Sequence, residues 1–64
     1  MKNSRGVSFN KGDTVRFEMP IEGLDTGVVV GIDGSYVYIK FGHEPQTYVI
    51  ERYESEILEC LSIR

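Results

Sequence analysis

Apolar side chains in this 64-residue chain recur at every second position. Val15, Phe17 and Met19 alternate with Thr14, Arg16 and Glu18, and Val37, Ile39 and Phe41 alternate with Tyr36, Tyr38 and Lys40. That spacing sends one set of side chains to a buried sheet face and the other to solvent. An amphipathic helix needs apolar residues three and four apart, so the pattern predicts strands over 13–19 and 36–41. A third run, 26–32, contains Val28, Val29 and Val30, whose β-branched side chains favour extended backbone. Gly31 within it predicts a bulge or tight bend.

Turn residues separate these runs. Asp33, Gly34 and Ser35 lie between two β-rich segments and predict a tight hairpin with Gly34 at positive φ. Pro20 is expected to end the first strand, because proline cannot donate to a ladder. Residues 20–25 and 42–46 read as loops. A fourth strand is predicted over 47–52, then a short 3₁₀ turn and a fifth strand over 57–61. A helix over 53–61 competes with that last strand, since Glu54, Glu56, Leu58 and Glu59 are good helix formers. The strand is preferred, because a four-stranded meander leaves two open edges.

Five short strands in one small domain predict an all-β fold, a five-stranded barrel closed on itself. Residues 1–10 are read as a flexible tail, with Phe9 the residue suited to dock it, and 11–64 as the domain. The predicted core is Val15, Phe17, Val29, Ile32, Val37, Ile39, Ile50, Ile57 and Leu58; Phe41 also reads as core. A chain of this length buries only about 60% of its unfolded surface. Its stability is then roughly 3–5 kcal/mol, with little volume for a deep catalytic pocket.

Several motifs resemble those of SH3-like small barrels of the KOW or Tudor type. Phe9, Lys11, Gly12, Asp13, Val15 and Phe17 are similar to the Lys-Gly-Asp turn that feeds their first strand. Thr26, Gly27, Val28 and Val29 through Ile32 resemble the Gly-x-Val-x-x-Ile stretch. The segment 36–41 resembles the following strand, and Glu56, Ile57 and Leu58 the closing one. The resemblance implies an SH3-like barrel over about 9–61. KOW modules of this kind bind RNA, ribosomes or RNA polymerase, and Tudor modules bind modified tails through an aromatic cage. The basic loop residues of the former are sparse here, and tryptophan is absent.

Charge and chemistry narrow the function. The net charge is −3, whereas nucleic-acid modules ordinarily carry a basic surface. One cysteine, Cys60, excludes an internal disulfide and any site with two thiolates. The single histidine, His43, has no evident partner for nucleophilic catalysis, and no phosphate loop or calcium loop occurs. No catalytic residue, metal or cofactor is predicted. The ten N-terminal residues lack a signal-like apolar run and nothing approaches a membrane span, which predicts a soluble cytoplasmic protein.

The remaining reading is a binding module, with another protein ranked ahead of nucleic acid. A regulatory role, or one as a phage or prophage accessory factor, suits the size. Tyr36 and Tyr38 share one strand face and Tyr48 lies on the next strand, so all three are candidate anchors. Arg16, Lys40 and Arg52 fall on predicted outer faces, where they either converge on a ligand or are neutralised by Glu18 and Glu51. Glu51, Glu54, Glu56 and Glu59 make an acidic closing segment that either protects an edge or meets a basic partner. The oligomeric state is open between monomer and homodimer.

Overall fold

A computed structural model describes residues 1–43 and 45–62. It contains five antiparallel strands in one sheet: β1 (Thr14–Ile21), β2 (Leu24–Asp33), β3 (Tyr36–His43), β4 (Gln46–Tyr53) and β5 (Ile57–Cys60). A 3₁₀ turn, Glu54–Glu56, precedes β5. The all-β class, the strand count and the turn before the last strand agree with the sequence reading, and the competing helix does not form. The strand order is β4-β3-β2-β1-β5, so the last strand returns beside the first and β4 lies at the opposite edge.

Alternation governs the core. Val15 and Phe17 from β1, Val29 from β2, Val37, Ile39 and Phe41 from β3, and Ile57 from β5 are all buried on one face. There is no α-helix among the described residues, and the N-terminal arm adds Phe9 to this core cluster, with Val7 packed against it. Arg52 reaches across from β4, its guanidinium 5.8 Å from the centre of the Phe17 ring. It also pairs with Glu56 at 3.4 Å, a charge contact without hydrogen-bond geometry.

The arm is the main correction to the sequence reading. Residues 1–10 are not a loose tail. Phe9 is fully buried in the core, and Lys2 bridges to Ser8. Asn3 is only 6% exposed, and its Nδ2 donates to Glu54 O at 2.7 Å and Ile57 O at 3.0 Å. Its Oδ1 accepts from Val7 N at 2.8 Å and Arg5 N at 3.1 Å. One polar side chain thus satisfies four backbone groups and binds the arm to the 3₁₀ turn.

Smaller differences follow local geometry. Ile32 is exposed, because it pairs with Val37 next to the 33–36 turn, where the core ends. Leu58 is half-buried, one residue out of phase with the inward Ile57, and Ile50 packs only on the core's margin. The ladder between β2 and β3 slips between Val29 and Gly31, as the glycine predicted. The 33–36 hairpin is real, but Asp33 pairs with Tyr36, which leaves Gly34 and Ser35 as the turn residues. Positive φ at Gly34 alone matches a type II′ turn. The predicted 42–46 loop shrinks, because β3 runs to His43 and pairs with Gln46; Glu44 lies outside the described residues.

Pro20 does not stop β1. Met19 instead turns out at φ 63°, 68% exposed, and the strand resumes to Ile21. Ile21 then pairs with Leu24, and the intervening Glu22 and Gly23 both have positive φ. That is the φ pattern of a type I′ turn, which favours Asn-Gly. Glu22 at φ 50° carries the steric cost that Asn largely avoids. Glu22→Asn is expected to raise stability by about 0.5–1 kcal/mol. Thermal unfolding checks this: the midpoint is expected to rise by a few degrees, and no rise would contradict the turn assignment.

Candidate functional site

The pleat that buries Val37, Ile39 and Phe41 must turn Tyr36, Tyr38 and Lys40 outward. Register then decides their neighbours. Tyr36 pairs with Tyr53, Tyr38 with Glu51, and Lys40 with Val49 on one side and Val28 on the other. The outer face of β3 and β4, with Val28 from β2, is therefore a contiguous surface of three tyrosines, two valines and one ion of each sign.

The tyrosines are ordered by one another. The rings of Tyr36 and Tyr53 stack with centroids 4.9 Å apart and planes 30° from parallel. The Tyr36 hydroxyl donates to the Tyr53 hydroxyl at 3.3 Å. That bond, then the nearby negative charge and partial desolvation, raises the Tyr36 pKa above its ordinary value. Tyr38 is raised too, first by its hydrogen bond to the Glu51 carboxylate. Both hydroxyls therefore stay protonated, and able to donate, into more alkaline solution than a free tyrosine.

The other candidates are dispersed. Tyr48 pairs with Phe41 and lies on the opposite face, the rings 5.7 Å apart. Arg16 sits on β1, bonded through Nε to Glu59 at 2.6 Å, which raises its already high pKa. Arg52 lies over Phe17 and against Glu56 rather than on the outer face. The basic cluster of Arg16, Lys40 and Arg52 does not form: only Lys40 joins the tyrosines. Alternation places Arg16 outside but gives no sign that β5 brings Glu59 against it. Tyr53, missed as an anchor, fell inside the 3₁₀ turn predicted over 52–55, whereas it ends β4 and pairs with Tyr36; that register was the information lacking.

A groove of about 310 Å³ opens on the other side of β4. It is lined by Ile21 and Glu22 from the β1–β2 turn and by Phe41, Tyr48, Val49 and Ile50. Its lining is mostly apolar, with Glu22 its one carboxylate. Among the described residues, no group of three or more His, Cys, Asp or Glu side chains is placed to hold a metal. No helix among them is long and apolar enough to cross a membrane. Comparison with protein-family models, with curated proteins and with solved structures returns no match for this chain.

Proposed function

We propose that this chain is a non-enzymatic protein-interaction module that presents the outer face of β3 and β4 to another protein. The observation that carries the reading is the stacked Tyr36–Tyr53 pair beside Tyr38. Tyrosines held in place before binding offer large contact area at small entropic cost. Glu51 and Lys40 supply opposite charges beside them, which suits a mixed protein surface better than a polyanion.

An SH3-like barrel is part of this proposal. A meander of four strands, a 3₁₀ turn and a last strand returning beside the first support it. The nucleic-acid alternative, RNA- or ribosome-associated, has weaker support, because Arg16 and Arg52 are engaged by Glu59 and Glu56.

The test is capture of partners from native-host lysate on the immobilised chain, beside a Tyr36→Ala, Tyr38→Ala double variant. Central aromatic anchors contribute 2 kcal/mol or more when truncated, so recovery in the variant is expected to fall by about tenfold or more. Equal recovery by both proteins would remove this face from consideration. In a low-salt titration, labelled single-stranded RNA and DNA are expected not to bind at tens of micromolar.

A further inference from the structure

We propose that β4 pairs with β4 of a second copy of this chain, forming a two-fold dimer centred near Tyr48. The sheet has two edges, β4 and β5, and among the described residues only β5 is protected. β5 has four residues, its Ile57 carbonyl is taken by Asn3, and Glu59 on it is held by Arg16. Short length, charge and capping are how natural edges avoid pairing. β4 is twice as long, and its first five residues, Gln46 to Ile50, carry no charge. Two of them are exposed apolar side chains, Tyr48 at 54% and Val49 at 60%.

Hydrogen-bond direction shows which part of this edge is open. Glu54 N donates to Ser35 O at 2.7 Å, in the same register as Tyr36 with Tyr53. Bonded and non-bonded pairs alternate along an antiparallel ladder. Even-numbered residues of β4 therefore bond to β3, and Thr47, Val49 and Glu51 point their N–H and C=O groups away from it. The Glu51 carbonyl already accepts from Arg52 Nη1 at 3.0 Å. Among the described residues, the stretch left unclaimed is Thr47 to Val49.

That stretch is complementary to itself. A two-fold at Tyr48 sets Thr47 opposite the partner's Val49, and Val49 opposite the partner's Thr47. Each of these pairs exchanges two backbone hydrogen bonds, four in all. Tyr48 meets the partner's Tyr48 on the face that carries the groove, where Phe41, Ile50 and Ile21 offer apolar contact. Glu51 lies beyond the paired stretch on each side, so the two carboxylates stay at opposite ends. A strand seated here should be neutral, β-prone and apolar, and residues 46–50 of this chain are such a strand. Val49 borders both this edge and the tyrosine face, but Tyr36, Tyr38 and Tyr53 take no part in the pairing, so either assignment can fail without the other.

Sedimentation of the intact chain from low micromolar to millimolar concentration tests the proposal. The expected result is a shift from the 7.3 kDa chain mass toward twice that value. Val49→Lys places a charge on the open edge without touching the core, and is expected to stay monomeric throughout with an unchanged circular dichroism spectrum. Tyr48→Cys in a Cys60→Ser background is expected to form a disulfide-linked dimer when two thiols are oxidised by glutathione disulfide. A single 7.3 kDa species for the wild type at millimolar concentration would overturn the dimer. So would Val49→Lys dimerising as the wild type does. A wild-type dimer with no crosslink through position 48 would overturn the two-fold.

Discussion

Gly27→Ala is expected to lose about 3 kcal/mol of stability, most of what a chain this small has. A Cβ at Gly27 would stand 2.5 Å from Ile39 Cγ2, 2.7 Å from the Lys40 carbonyl oxygen and 3.1 Å from Phe41 Cβ. The Ile39 methyl belongs to a fully buried side chain, and the Lys40 oxygen belongs to backbone in a strand paired on both sides. Neither can withdraw without moving β3 and the ladders that hold it. Gly31, four residues along the same strand, is the control. Its Cβ would meet the Tyr38 ring at 3.5 Å, an ordinary contact, and Gly31→Ala is expected to change stability by less than about 1 kcal/mol. Urea unfolding of the two variants measures the difference. Equal midpoints would mean that β2 and β3 do not approach as closely as the structure has them.

Asn3→Asp is expected to cost at least as much, although it exchanges only an amide nitrogen for an oxygen. The Oδ1 position keeps its role, since it accepts from Val7 N and Arg5 N. The other position now donates to two carbonyls at 2.7 and 3.0 Å, and an ionised carboxylate has no proton to give them. Two acceptors lose their donor and face a negative charge in a largely buried site. The expected loss is about 3–5 kcal/mol at neutral pH, as for other uncompensated buried charges. Asn3→Ala removes the bonds without adding the charge, and about 2–3 kcal/mol is expected.

The pH dependence separates these effects. The new carboxyl would have a folded-state pKa above its unfolded one, because only the protonated form can donate to a carbonyl. Its penalty is therefore full above the folded pKa and shrinks as pH falls through it. Stability of Asn3→Asp relative to Asn3→Ala is expected to rise on acidification. A flat difference between the two would show that the arm does not depend on the donor side of this amide.

Both effects concern residues whose importance is invisible to periodicity. Alternation marked the strands, the inward Val15, Phe17, Val37 and Ile39, and the outward Tyr36, Tyr38 and Lys40, because a pleated chain has only two sides. Turn chemistry placed Gly34 at positive φ and Gly31 at a bulge for the same local reason. The arm was misread because Asn3 looks like any polar residue until two carbonyls more than fifty positions away are brought to it. Gly27 gave no signal in the alternation of the 26–32 run, and only the approach of β3 makes its lack of a side chain indispensable.

The basic cluster failed only partly on the same ground, since Glu59 is distant from Arg16 in sequence but Glu56 is four residues from Arg52. Arg16, Lys40 and Arg52 are alike in sequence, but β5 brings Glu59 to the first, and the 3₁₀ turn after β4 brings Glu56 against the last. Tyr53 joined Tyr36 through a cross-strand register set by the β3–β4 hairpin. What the amino-acid order determined alone was strand content and the side to which each residue points, which depend on neighbours one or two positions away. Which strands meet, which edge stays open and which polar groups are matched came only with tertiary structure, because those contacts join residues far apart along the chain.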